Sequence, residues 1–337
     1  VDIEMLEFRA MVLNAVRNFL IENSFLEVDT PALSKTLIPE SSIEVFETEY
    51  IRGYGKKDET KTLFLLPSPE LYIKRLIAEH KRSFFQISKC YRNCESIGRA
   101  HNPEFSMLEY YDVGKDYMDI LLLTYKLLSY LVVALKNHPL LAKDSVEAIK
   151  KGFIVKTIDE LFIEHVNFSI VKEHSRESLI YYAKNLQKDL DINFEKMRDS
   201  DIYDMIFVHA IEPKLPKDRL IVVKDYPYFV SCLAAKKDVV MEGGRVWSVR
   251  ERWELYGGGE ELCNCYNEMR EKKEVDEYFR EEEKLKKDSL VIPMIDREFS
   301  NICQKMPQCS GVALGVDRLL MFLTNKKTID AVMPFPF

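Results

Sequence analysis

Three consecutive glycines, Gly257-Gly258-Gly259, separate two runs of alternating residues, Trp247 to Tyr256 and Glu260 to Met269. No other stretch leaves the chain so little choice. Alternation at period two puts every second side chain on one face of a strand, and a short glycine break between two such runs reads as an antiparallel hairpin. A second pair of period-two stretches lies between Phe84 and Tyr111, interrupted by a polar loop around Asn93 to Asn102. In the later of these, Phe105, Met107, Glu109 and Tyr111 share one face, which lines up an aromatic plate, a carboxylate and a phenol. Such a face belongs to a site rather than to an apolar core.

Helical patterns surround these strands. Met5, Phe8, Val12, Ala15, Val16 and Phe19 recur at helical spacing, and Leu6, Leu13 and Leu20 widen the stripe, so the first segment is expected to be a helix buried on a broad face. It runs into FLEVDTPAL, a short strand-like stretch broken at Pro31. Ser68-Pro69-Glu70 has the order of an N-cap, a first-turn proline and an acidic residue. Tyr72, Ile73, Leu76 and Ile77 supply the apolar face of the helix that follows, which Lys81 and Arg82 close. Residues 115 to about 222 read as mostly helical and show no chemical constellation. The charged stretch from Arg270 to Asp288 reads as a solvated helix. CSGVALGVDRLLMFL reads as a small-residue strand turning straight into an apolar helix. With no internal repeat or linker, one continuous domain over 1–337 is expected.

Composition narrows the function classes. A chain of 337 residues with 47% hydrophobic content can bury a large core. The longest apolar run, Ile120 to Leu135, is interrupted by Thr124, Lys126 and Ser129 and is shorter than the roughly 20 residues of a membrane span, so it is expected to be a buried helix. The N-terminus has no signal-peptide pattern, and no membrane association is expected; a cytoplasmic location follows by default. Seven cysteines without a Cys-x-x-Cys pair point to reduced, mostly buried thiols. A net charge of −7 argues against a protein that coats nucleic acid.

A few residues carry chemistry. Arg92 ends a strand in which Gln86, Ser88 and Cys90 share its face, and a cation there wants an anion, either a ligand or a structural partner. Arg318 stands in the first turn of a helix, where a cation opposes the macrodipole unless an anion lies nearby. Glu254, Glu260, Glu261 and Glu268 crowd the hairpin with Asn264 and Tyr266. They form either an exposed acidic surface or, near phosphate-binding arginines, a Mg²⁺ site, since Mg²⁺ takes one or two carboxylates plus phosphate oxygens. Gly311 and Gly315 alone say little.

The order of FLEVDTPAL, LPSPELYIKRL, YRNCESIGRAHNPEFSMLEYY, ERWELYGGGEELCNCYNE and CSGVALGVDRLLMFL closely resembles the successive motifs of class II aminoacyl-tRNA synthetases of the lysyl type, over nearly the whole chain. That resemblance implies an α+β fold, a mainly antiparallel sheet flanked by helices. It also implies ATP and Mg²⁺ as cofactors and adenylation of a lysine-type amino acid. Arg92 matches the motif 2 arginine that clamps the amino-acid carboxylate and the ATP α-phosphate, and Arg318 matches the motif 3 arginine; both are expected to be catalytic. Phe105 matches the aromatic on which adenine stacks, with Arg318 over the other face. Glu95, Arg99, His101 and Asn102 fall in the ATP-contacting motif 2 loop. Glu254 and Glu261 match the metal-binding pair. Glu70, Glu109, Tyr111, Asn264, Tyr266 and Glu268, with Arg92 and Ala313, match the amino-acid pocket, where several acids suit a diamino acid.

Three departures refine this. No anticodon-binding domain is expected before the motif 1 helix, so tRNA is not the expected acceptor. The motif 2 loop is one residue longer than the family pattern, which leaves Glu95 open. Ala313 stands where lysyl-tRNA synthetases usually have glycine. The absent barrel and GVALGVDR preceded by MPQCS are similar to the GenX/PoxA group, ligases that attach (R)-β-lysine to a lysine of translation elongation factor P. The expected function is ATP-dependent activation of lysine or (R)-β-lysine and transfer to elongation factor P, by a homodimer formed through the motif 1 helix and strand. Aminoacylation of tRNA or a small molecule, and a catalytically silent regulatory homologue, are the alternatives.

Overall fold

Asp2 starts the molecule's first helix by accepting a hydrogen bond from the Met5 amide, 2.9 Å, and that helix, α1 (Ile3–Glu22), buries Met5, Phe8, Val12, Ala15, Val16, Phe19 and Leu20. The stripe is the expected one, except that Leu6 faces outward. The computed structural model describes residues 1–51, 60–94, 98–186, 193–240, 244 and 246–337. After α1 come β1 (Leu26–Glu27) and β2 (Leu33–Ser34), much shorter than the strand-like stretch suggested. Then follow β3 (Glu47–Ile51) and β4 (Thr60–Leu65), which with β2 make a small antiparallel sheet.

The central sheet begins beyond α2 (Glu70–His80), with β5 (Phe84–Tyr91) and β6 (Glu104–Val113). These two pair antiparallel across the polar loop, as their alternation predicts. The next helix, α3 (Tyr117–Leu135), is long and apolar enough to cross a membrane by length and composition alone. Ile120, Leu127, Leu128 and Leu131 on one of its faces are fully buried in the same apolar cluster as the α1 stripe. Next come α4 (Lys143–Lys150), β7 (Phe153–Thr157), α5 (Ile158–Val166), α6 (Arg176–Leu186) and α7 (Asp199–Ile206). The mostly helical reading of this region missed β7, which pairs parallel with β8 (Leu220–Pro227) and extends the sheet.

β9 (Lys236–Val240) precedes the glycine hairpin, formed by β10 (Val246–Gly257) and β11 (Glu260–Asn267). Gly258 and Gly259 take φ of 66° and 90°, a left-handed backbone that side chains disfavour, so glycine is required at both positions of the turn. α8 (Lys272–Leu285) is less solvated than its charge suggested, because Val275, Tyr278, Phe279 and Glu282 are buried. The chain then runs through α9 (Phe299–Lys305) into β12 (Cys309–Gly315) and directly into α10 (Val316–Thr324).

Among the described residues the main sheet has nine strands, in the order β1-β5-β6-β12-β11-β10-β8-β7, with β9 also on β10. It is antiparallel except at its ends, where β1 runs with β5 and β7 with β8. One face packs on α1, α3 and α10 around the fully buried Trp253, whose indole N–H donates to the Tyr117 carbonyl, 2.5 Å. Helices α5 to α7 form a second apolar core over β8 and Tyr256. The result is the expected α+β arrangement, with the other face of β6, β12, β11 and β10 left for side chains of mixed chemistry. All seven cysteines are free thiols, and every one but Cys94 is buried.

Candidate active site

Strand register assembles the site. Ala313 of β12 pairs with Glu109 of β6 on one side and Asn264 of β11 on the other. Glu254 of β10 pairs in turn with Asn264, and Arg252 with Tyr266. Residues far apart in sequence are thereby fixed side by side by backbone hydrogen bonds. Two cavities open on this face, of about 290 Å³ and about 240 Å³. Arg92, Met107, Asn264 and Ala313 line both, so the two spaces meet at those residues.

The larger cavity gathers Glu70, Arg92, Glu109, Tyr111, Asn264, Tyr266, Glu268 and Ala313, which are all the residues expected around the amino acid. Its acids are not simply vacant carboxylates. The Ser68 and Tyr111 hydroxyls donate to the two oxygens of Glu109 at 2.5 and 2.8 Å, while burial and the charge of Glu70 push the Glu109 carboxyl up to about 8. Ser68 also accepts from the Glu70 amide, 3.1 Å, one residue ahead of the expected register, since Pro69 rather than Ser68 holds the N-cap position of α2. Glu70 and Glu268 share the protein's own Lys74, a buried ammonium that the sequence reading overlooked. Burial lifts Glu268 to about 7 even with Lys74 beside it. Glu40 is also raised to about 7, by burial and by Glu70.

The far wall of this cavity corrects an expectation. The sequence of 115–222 shows no chemical constellation, yet α7 and the residue before it supply Arg198, Ser200, Asp201 and Asp204 to the lining. Asp204 is exposed to solvent on one side, yet the protein packed around it raises it to about 6, against the pull of Arg252. Arg252 itself was also missed. It is ion-paired with Glu254 and lies over the rings of Tyr226 and Tyr266, 4.4 and 5.4 Å from their centroids. A strand arginine on the same face as Glu254 was legible at period two; the tyrosines that enclose it were not.

The smaller cavity holds Arg92, His101, Asn102, Phe105, Glu261 and Arg318. Arg318 is placed by its neighbour Asp317, which is buried and accepts from Arg9 at 2.6 Å and from the Ser106 amide at 2.7 Å, pinning the start of α10 to α1 and β6. The Arg318 guanidinium donates to the Glu261 carbonyl at 3.0 Å, bonds His101 Nε2 at 2.8 Å and lies 3.7 Å from the Glu261 carboxylate. These neighbours supply the acceptors that a first-turn cation needs. The Arg92 guanidinium lies over the Phe105 ring, 5.2 Å from the centroid. Arg92 Nε is buried without a hydrogen-bond partner, an orphaned donor beside the point where the cavities meet.

Other expected residues fall differently. Arg99 belongs to an adjoining cavity with Arg318 and pairs with Glu260. Glu95 lies outside the described residues. Glu254 lines neither of the two cavities. It is buried, accepts from the Tyr256 hydroxyl at 2.7 Å and, although burial opposes it, is held below the usual carboxylate range by Arg252. Burial and the charge of Glu254 push Glu261 up to about 7, so the two acids feel one another. Among the described residues, no group of three or more His, Cys, Asp or Glu side chains is gathered as in an all-protein metal site.

Comparison with known proteins fixes the family. A model described as tRNA synthetases class II (D, K and N) matches residues 3–337. The elongation factor P–(R)-β-lysine ligase of Haemophilus ducreyi is 31% identical over 336 residues, which cover 99% of this chain and 94% of that one. The ligases of the same name from Mannheimia succiniciproducens and Vibrio parahaemolyticus are each 32% identical, covering 95% and 96% of those proteins. The chain belongs to the class II tRNA synthetase family, and it is similar along nearly its whole length to members named as ligases of elongation factor P.

Proposed function

We propose that this protein uses ATP to activate lysine or (R)-β-lysine as an aminoacyl-adenylate and transfers the aminoacyl group to a lysine of elongation factor P. The observation that carries this reading is the meeting of two cavities at Arg92, Asn264 and Ala313, one rich in carboxylates and the other holding Phe105 and Arg318. A diamino acid in the first and a nucleotide in the second would bring a carboxylate and an α-phosphate together beside Arg92. The orphaned Arg92 Nε supports the same placement, because a phosphate or carboxylate oxygen would complete it.

In the first step an oxygen of the amino-acid carboxylate attacks the α-phosphorus, and the bond from that phosphorus to the bridging oxygen breaks, releasing pyrophosphate. A carboxylate is already ionised at neutral pH, so no base is required. Arg92 and Arg318 act by holding the reacting groups and by offsetting charge that grows on the phosphate oxygens. Glu254 and Glu261 are the carboxylates that would hold Mg²⁺, since a like-charged pair that raises one member to about 7 gains from a divalent cation. Bound there with the nucleotide, Mg²⁺ would supply neutralising charge to the phosphates. In the second step the deprotonated acceptor amine attacks the acyl carbon, loses its remaining extra proton to solvent and expels AMP.

The protein acceptor is preferred to tRNA on the strength of the relatives' shared name and their coverage. A homodimer and a cytoplasmic location go with this reading. The deciding experiment combines ATP, labelled lysine or (R)-β-lysine and elongation factor P, followed by RNase or protease. Label retained through RNase and lost to protease is expected; label lost to RNase would replace this acceptor with tRNA, and no label would end the reading.

A further inference from the structure

Behind two carboxylates of the larger cavity stands a buried cation of the protein's own. Lys74 of α2 is 1% exposed, and its ammonium contacts Glu70, one turn earlier on the same helix, and Glu268, 2.5 Å away beyond β11. From α9 the Phe299 ring lies 5.9 Å from the ammonium and the Cys303 thiol also faces it. Glu70 and Glu268 line the cavity, while Lys74 stands behind them. We propose that Lys74 is a positioning residue for the diamino acid: it ties Glu70 and Glu268 together so that each carboxylate keeps one oxygen for the substrate's ammonium groups. This rests on the function proposed above.

The geometry makes the division of labour definite. Lys74 reaches Oε1 of Glu70 and Oε2 of Glu268. A carboxylate accepts through both oxygens, so Glu70 Oε2 and Glu268 Oε1 remain for a ligand. Glu268 Oε1 lies next to Gly311, itself part of the cavity wall. Two carboxylates and one ammonium leave a net charge of minus one, which a substrate ammonium can neutralise.

Without Lys74 the same two acids would face each other in a buried space that also holds Glu109 and Glu40. Burial and like charge favour the protonated acid, and a neutral carboxyl is a poor partner for an ammonium. Burial already raises Glu268, Glu40 and Glu109 with Lys74 in place. Lys74 is held well above its ordinary range by Glu268 and Glu70 despite burial, so it stays charged.

The test uses Lys74→Gln, which keeps a donor but no charge, and Lys74→Ala, which leaves space for n-propylammonium. Pyrophosphate exchange gives the Michaelis constants for lysine and (R)-β-lysine, and calorimetry gives ATP affinity on the same preparations. In both variants the amino-acid KM should rise about 10-fold or more, with kcat changed less and ATP affinity preserved. The rise should shrink from pH 7 to pH 9 as the acids ionise, and millimolar n-propylammonium should lower the KM of Lys74→Ala alone. An unchanged amino-acid KM overturns the proposal. So does an equal loss of ATP affinity, which would make Lys74 a general structural residue. A parent protein that exchanges no pyrophosphate with either amino acid refutes the functional reading instead, whereas an active parent with indifferent variants refutes only the role of Lys74.

Discussion

Gly311 of β12 lies directly across from Tyr111 of β6, and the phenol ring occupies the space that a Cβ on Gly311 would need. The same Cβ would also come within 2.7 Å of Glu268 Oε1. A β-strand tolerates alanine, so the glycine is required by these neighbours rather than by the backbone. Gly311→Ala should displace Tyr111 and Glu268 together and raise the KM for the amino acid on the order of 10-fold or more, while the KM for ATP stays as it was. Pyrophosphate exchange at saturating ATP measures this, and a normal amino-acid KM would mean that the cavity is not where the amino acid binds.

Arg92 and Arg318 meet the smaller cavity from opposite ends of the chain. In the proposed reaction each offsets negative charge that develops on the phosphate, and loss of one preorganised donor typically costs about 10²-fold or more. Arg92→Ala and Arg318→Ala should each lower adenylation by that order with the thermal midpoint little changed. Exchange at the parent rate in either variant would withdraw the arginine from the chemistry.

The two hairpins and the step from β12 into α10 were legible because alternation and glycine are local signals. Membership of the cavities was legible only through the order of the motifs, since periodicity cannot say that Ala313 will sit between Glu109 and Asn264. What escaped had a physical reason in each case. Helix α7 buries a stripe of Ile202, Tyr203 and Ile206, while Arg198, Asp201 and Asp204 stay partly or largely exposed on its other side, and only the tertiary placement of that side along the cavity wall gives them a role. Lys74 follows Glu70 by four residues, a spacing that a helix turns into an ion pair, but its second partner Glu268 comes from a distant strand end. The burial of Glu254 was not legible in the hairpin, because the tyrosines and the arginine that enclose it come from β8 and from its own strand β10.

Ala313 lines both cavities, and its methyl group is the only side-chain bulk that β12 places at their junction. One methyl is worth about 1 to 3 kcal/mol of discrimination in a packed site. Ala313→Gly should shift the ratio of kcat/KM values toward α-lysine over (R)-β-lysine. An unchanged ratio in pyrophosphate exchange would show that the choice is made elsewhere.

Ile3, Met11 and Ile21 of α1 and Leu26 of β1, the terminal strand of the main sheet among the described residues, are apolar and exposed at 69%, 43%, 55% and 42%. A second copy of the chain would cover them. The protein should sediment as a dimer at micromolar concentration, and the double substitution Ile21→Glu with Leu26→Glu should shift it to monomer. A parent that sediments as a monomer would contradict the pairing.

Glu109 gives the clearest dependence on pH. Burial and the charge of Glu70 raise it from the usual 4.5 to about 8, so the folded, empty protein holds this proton more tightly than the unfolded chain does. Folding then gains from protonation below pH 8, and the gain is lost as pH rises from about 4.5 through 8. Glu40, Glu261 and Glu268, each raised to about 7, act in the same direction. The thermal midpoint of the empty protein should therefore fall between pH 6 and pH 8.5, and Glu109→Gln, which cannot ionise, should fall less. Ligand binding has the opposite sign, because an ammonium needs the ionised carboxylate. Affinity for the diamino acid should tighten from pH 6 to pH 8, and near pH 7 its binding to the parent should release roughly one proton more than its binding to Glu109→Gln, in which Glu40 and Glu268 still release theirs. Calorimetry in buffers of different ionisation enthalpy counts that difference. Equal proton release by the two proteins would remove Glu109 from the set of groups that receive the substrate's positive charge.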